Sequence, residues 1–293
     1  MFPRQLTFKL LKNSSQFNYF PTTQRLMGLF HESDDKGGYK DNRKKPSTTQ
    51  FIREGFKELK SEIKLWTEEV KDRFDYDPLI VFRSGETDVV WDFPDEESLK
   101  QWVVTSDSDN NEGYSKCSLT LDQNKNALFS GVLDTRVPKD GRIKRAGYCN
   151  IKTVRHRKSF KREAFLDWTA YNMLVMKVRG DGRSYIINIH TRGYYDLMWN
   201  DVYSYVLYTR GGPYWQVTRL PFSKFFLSSK GRIQDRQFPL ATDKVTNFSI
   251  SLGDKVNGPF SLEIQYIGVE FDPDHREEFA YELYQADKYI VGV

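Results

Sequence analysis

Residues 245–270 read VTNFSISLGDKVNGPFSLEIQYIGVE. Phe248, Ile250 and Leu252 alternate with Asn247, Ser249 and Ser251. Beyond the turn signal Asn257-Gly258-Pro259, Phe260, Leu262, Ile264 and Tyr266 alternate with Ser261, Glu263 and Gln265. A period of two sets one row of side chains on a packed face and the other on a face that is wet or meets a second layer, so each run is a strand. Tyr185, Ile187 and Ile189 alternate in the same way, as do Tyr203, Tyr205 and Leu207. Segments 113–122, 127–134, 147–154, 172–179 and 214–219 are further strand candidates, separated by turn signals such as Asp181-Gly182 and Gly211-Gly212-Pro213. Only short helical pieces such as Glu96–Trp102 interrupt them, too short for the crossovers of a parallel sheet. The expected fold is all-β, an antiparallel jelly-roll β-sandwich over residues 88–285 with a tail at 286–293.

Upstream of the strands the period changes. Ile52, Phe56, Leu59, Ile63, Trp66 and Val70 recur at alternating steps of four and three, with Lys and Glu between them. This predicts an amphipathic helix over 51–77 with its apolar side chains on one narrow stripe. It ends before Asp77-Pro78, because proline disfavours a helical conformation in the residue before it. The stripe either docks on the chain's own domain or serves as a partner-binding arm, for which Phe56 and Trp66 are the candidate contacts. Residues 32–50, polar and rich in glycine and charge, read as a linker. Residues 1–31 carry Arg4, Lys9, Lys12 and Arg25, no acid, and Phe8, Leu10 and Leu11 among the cations. That is the pattern of a mitochondrial transit peptide, an amphipathic helix drawn inward by a negative-inside potential.

With 39% hydrophobic and 15% aromatic residues among 293, the chain holds too much core material for a disordered protein. No apolar run approaches the roughly 20 residues of a membrane-spanning helix. The formal charge of +4 invites a nucleic-acid reading, but the four cations of 1–31 account for all of it. The neutral remainder removes the electrostatic case for nucleic acid. Cys117 and Cys149 are too few for a disulfide scaffold and suggest a reducing compartment.

Catalysis finds little support. There is no G-x-x-x-x-G-K-[ST] phosphate loop, no G-x-G-x-x-G after a strand and no G-x-S-x-G elbow. His31, His156, His190 and His275 are scattered without metal-ligand spacing. Asp107 with Asp109, and Asp272 with Asp274, read as turn residues accepting local backbone hydrogen bonds. The expectation is a protein without enzymatic activity, catalytic residues, cofactor or metal, with a loop-bound calcium left open.

What remains is surface. Segment 136–162 is strongly basic, and Arg155, Arg157, Lys158, Lys161 and Arg162 form a candidate patch for an acidic protein face or anionic lipid headgroups. Its complement is the acidic run 270–287. Segment 208–216, YTRGGPYWQ, concentrates Arg210, Tyr214 and Trp215, the residue types that dominate interface energetics. On a sandwich they fill core beside a turn, meet a protein partner, or stack on sugar rings.

Several strings are more specific: WDF (91–93), WVVTSD (102–107), RGDGRSY (179–185), YSYVLYTRGGPYWQ (203–216), LPFSKFF (220–226) and DPDHREEFAYE (272–282). They resemble the complex I intermediate-associated protein family, the thirty-kilodalton assembly factors of mitochondrial NADH:ubiquinone oxidoreductase. The resemblance covers roughly residues 88–285. It implies a jelly-roll domain related to galactose- and carbohydrate-binding modules, and residence in the matrix in peripheral association with the inner membrane. It also implies a chaperone-like role in building the membrane arm of complex I, bound to membrane-arm subunits. Implied fellow factors are an acyl-CoA-dehydrogenase-type protein and a Toll-pathway signalling intermediate. A carbohydrate- or small-ligand-binding module is the alternative function. One departure is visible: after Thr105-Ser106-Asp107 the family tends to a Gly-Gly-Ser-like turn, and here the stretch runs Asn111-Glu112-Gly113-Tyr114-Ser115.

Overall fold

The structure, a computed structural model, describes residues 48–74, 85–139, 141, 143–155, 157–192, 201–229 and 231–281. The leader, most of the 32–50 linker, the 286–293 tail, His31, His156 and the side chain of Lys161 lie outside the described residues.

Two antiparallel sheets form the expected sandwich. One joins β3 (Lys116–Leu121), β4 (Ala127–Leu133), β13 (Gly258–Glu270), β6 (Met173–Gly180) and β9 (Gln216–Pro221) in that order, with β1 (Thr87–Asp92) also on β13. The other runs β11 (Arg232–Ile233), β10 (Phe226–Ser229), β8 (Asp201–Tyr208), β7 (Ser184–Thr191), β12 (Val245–Leu252), β5 (Cys149–Thr153) and β2 (Trp102–Ser106). The alternating apolar residues are the inner faces. Leu174, Met176, Val178, Leu262 and Ile264 from the first sheet are all fully buried, as are Tyr185, Ile187, Ile189, Phe248, Ile250 and Leu252 from the second. Burial of such side chains is the main force closing the sandwich.

The alternation breaks within β13. Sequence spacing puts Tyr266 inward with Ile264, but the register of β13 against β6 shifts between Ile264 and Tyr266. This bulge turns Ile267 inward and leaves Tyr266 half-buried. It lets β13 serve three partners, because β4 pairs with Gly258–Ile264 while β1 pairs with Tyr266–Glu270.

At one edge of the core Trp91 meets Phe248 at 5.3 Å, Trp102 at 5.9 Å and Trp168 at 6.2 Å between ring centroids. Trp168 in turn stacks on Phe222 at 5.7 Å. Thus the WDF, WVVTSD and LPFSKFF strings all supply one aromatic cluster.

The outer face of the second sheet carries a side-chain ladder across six strands. Asn150 donates to Thr105 at 3.1 Å, Ser251 to Asn150 at 2.9 Å, Asn188 to Ser251 at 2.9 Å and Ser204 to Asn188 at 2.8 Å, and Ser204 meets Ser228 at 3.1 Å. The polar half of each alternation is therefore satisfied by its strand neighbours.

Helix α1 (Thr48–Phe74) and residues 157–164 belong to a second compact unit. Lys71 and Arg73 occupy the last turn of α1, where cations complement the exposed carbonyls.

Candidate functional site

Two of the distinctive strings meet at one end of the sandwich, where the β6–β7 turn (181–183) lies against the β8–β9 loop (209–215). Thr209 ties them. Its hydroxyl donates to the Arg183 carbonyl at 2.7 Å and accepts from the Gly182 N–H at 3.1 Å. Gly180 lies beneath it: a Cβ there would sit 2.4 Å from that of Thr209, so only glycine fits without displacement. Arg183 forks onto both carboxylate oxygens of Asp254 at 2.8 Å and also caps the carbonyls of Val256, Gly258 and Pro259. Burial raises the Asp254 carboxyl, but the guanidinium and the Val256 N–H outweigh it and hold the group below the usual carboxylate range. Gln216 closes the loop, accepting from the Arg210 N–H at 2.7 Å and donating to the Tyr208 carbonyl at 3.2 Å.

This braced base holds aromatic side chains outward. Tyr208 is 75% exposed and Tyr214 67%, and Arg210 beside them is exposed. Trp215 is half-buried beneath the Arg179 guanidinium, 5.2 Å from its ring centroid, and Arg179 is paired with Glu263. The structure thus brings Arg210, Tyr214 and Trp215 to one loop and adds Tyr208. The signal for Tyr208 was present, since it opens the same aromatic segment.

The basic segment and the predicted helix are brought together in the second unit. Glu62, 2% exposed, accepts from the Phe160 N–H at 2.7 Å and pairs with Arg157 at 3.0 Å. One turn-pair further on, Glu69 accepts from the Ser159 N–H and hydroxyl and pairs with Arg162. Arg157 and Arg162 are therefore neutralised locally; Arg155, which also has an interaction partner, and Lys158 are exposed. The helix is held by its acidic side, and Ile52, Phe56, Ile63 and Trp66 of the apolar stripe are exposed at 47%, 67%, 47% and 50%. Leu59 and Val70 are half-buried. Acids on a helix face ordinarily mark solvent, so the sequence does not single out Glu62 and Glu69; their spacing of seven is the available signal.

A cleft of about 300 Å³ lies where LPFSKFF meets DPDHREEFAYE, lined by Tyr171, Asn172, Phe222, Ser223, His275 and Glu277 among others. Asn172 organises it, donating to the carbonyls of Asp272 and His275 and accepting from the Asp272 N–H. Ser223 Oγ lies 3.0 Å from Glu277 Oε2 and 3.1 Å from His275 Nε2. The hydroxyl's single proton goes to Glu277, so His275 Nε2 donates rather than accepts. The imidazole is then no base for the serine, and no described hydrogen bond joins Glu277 to His275, so the arrangement lacks the order of a nucleophilic triad. No group of three His, Cys, Asp or Glu side chains with metal-binding geometry occurs among the described residues.

The aspartates resolve as loop anchors. Asp107, fully buried, accepts from Ser115 N–H at 2.8 Å, Ser115 hydroxyl at 3.1 Å and Gly147 N–H at 2.7 Å. Asn111 takes the left-handed conformation at φ 58°, as asparagine tolerates, and Gly113 packs on the Asp107 carboxylate with no room for a Cβ. The stretch that departs from the family's glycine pattern thus makes its turn with asparagine. Cys149 is buried and Cys117 half-buried, both free; the Cys149 thiol hydrogen-bonds Cys117, lowering the latter's pKa, while that contact and burial push Cys149 up.

Residues 91–264, which include the braced loop and most of the core, match the family described as "Complex I intermediate-associated protein 30 (CIA30)". The chain belongs to the complex I intermediate-associated protein 30 family. A family protein of Drosophila melanogaster, "Complex I intermediate-associated protein 30, mitochondrial", is 59% identical over 265 residues, covering 90% of each chain. The Mus musculus relative of the same name is 46% identical over 195 residues, 66% of this chain and 59% of its own. A "Probable" member from Caenorhabditis elegans is 46% identical over 203 residues, 69% of this chain and 59% of its own. Among solved structures, a family 11 carbohydrate-binding module of the Clostridium thermocellum cellulase Lic26A-Cel5E is similar at 13% identity and a TM-score of 0.45, over 66% of this chain and 99% of that one.

Proposed function

We propose that the chain is a non-enzymatic, chaperone-like assembly factor of mitochondrial respiratory complex I. It works at the matrix face of the inner membrane, binding membrane-arm intermediates together with other assembly factors, among them an acyl-CoA-dehydrogenase-type protein and a Toll-pathway signalling intermediate. The observation that carries this reading is family membership, with relatives named for complex I intermediates and for mitochondria. The braced aromatic loop at 208–216 supports it as a rigid recognition surface of the kind that supplies interface hot spots. Unfinished membrane-arm modules expose apolar patches, and covering them suppresses aggregation. Deleting the protein is expected to deplete mature complex I, with stalled membrane-arm sub-assemblies on native gels and other respiratory complexes unchanged. Normal complex I in the deletion line overturns the reading.

A further inference from the structure

The apolar stripe of α1 follows a strict four-three-four-three-four spacing from Ile52 to Val70, the 3.5-residue period of a coiled-coil seam rather than the broad band of a core-facing helix. One flank of the seam is closed, because Glu62 and Glu69 there are bound by residues 157–162. The other flank is open and carries Arg53, Lys57, Lys60, Lys64 and Lys71, all exposed. On a helix of 100° per residue these cations fall side by side, next to Phe56 and Ile63; Glu68, which pairs with Lys64 at 3.9 Å, borders the row on the side away from the seam.

We infer that the exposed seam of α1 docks an amphipathic helix of a partner protein whose seam-flanking residues are acidic. Charge selects this occupant. A second copy laid antiparallel sets cation row against cation row, and a parallel copy would need Glu62 and Glu69, which are engaged. A helix with Glu or Asp beside its own seam satisfies both the apolar stripe and the open cationic flank. The inference names a surface and a partner chemistry for the assembly-factor reading, yet its test does not depend on complex I abundance, so either can fail alone.

The test uses the full chain and fluorescent synthetic helical peptides about four heptads long, with Leu and Ile at the seam and either Glu or Lys beside it. Fluorescence anisotropy is expected to show the Glu peptide binding at least about tenfold more tightly than the Lys peptide. Phe56→Ser with Trp66→Ser should weaken the Glu peptide at least about tenfold with unchanged helix content by circular dichroism. Reversing Lys57, Lys60 and Lys64 to Glu should exchange the preference between peptides. Equal affinity for the two peptides, or no affinity for either, overturns the inference. So does sedimentation showing self-association that the Phe56 and Trp66 substitutions abolish. Binding to phosphatidylglycerol vesicles in place of the peptide, lost in the same variant, overturns it as well.

Discussion

His190 lies on the polar face of the second sheet, its Nε2 3.3 Å from Ser249 Oγ. Burial, reinforced by the Lys152 cation, pushes its imidazole down to about 3. An unfolded chain takes up that proton near pH 6.5 while the native fold refuses it until far lower, so stability falls as pH drops from about 6.5 toward 3. The limiting slope from this one group is about 1.4 kcal/mol per pH unit. His190→Gln, which keeps an N–H for Ser249, should flatten the decline of urea midpoint between pH 6.5 and 4.5 relative to the wild type. Parallel declines in the two proteins would remove His190 as the cause. Nothing in sequence marked this histidine beyond its place at a strand end, because its environment is assembled from β5, β7 and β12. Arg210, Tyr214 and Trp215 were legible for the opposite reason: their chemistry and their loop are contiguous in the chain.

Helix α1 shows what periodicity reveals and what it hides. The stripe and its helical period were plain from Ile52 to Val70, but which side would be held was not, since that depends on residues 157–162 folding back almost a hundred positions later. Glu62 is the point of attachment that can be tested. Removing its carboxylate in Glu62→Ala strands the Phe160 N–H and frees Arg157, at a local cost of about 1–3 kcal/mol. Hydrogen exchange should accelerate at residues 158–162, whereas Glu68→Ala, whose pairing is with Lys64, should leave those amides as they are. Equal protection in both variants would mean that Glu62 does not hold the segment. The same limit applies to β13. Its alternation predicted a strand correctly, but the bulge after Ile264 is set by the need to pair with three other strands, which no local pattern records.

For the molecule as a whole, the sandwich was legible because its core strands alternate cleanly, whereas the cleft at Ser223 and His275 joins segments some fifty residues apart. The aromatic cluster around Trp91 joins both sheets. Trp102→Ala empties the space between Trp91, Phe93 and Phe248 and should cost about 3–5 kcal/mol in denaturant unfolding. A loss below about 1 kcal/mol would show that the cluster is not part of the cooperative core. The placement of β13 has a further result for how the chain reaches this state. Among the described residues it is the last strand in sequence, yet β1 and β4 line one of its edges and β6 the other. Until residues 258–270 are in place, those earlier strands keep open backbone edges, so closure of this sheet waits on a contact distant in sequence, and a chain lacking β13 is itself a client for holding chaperones.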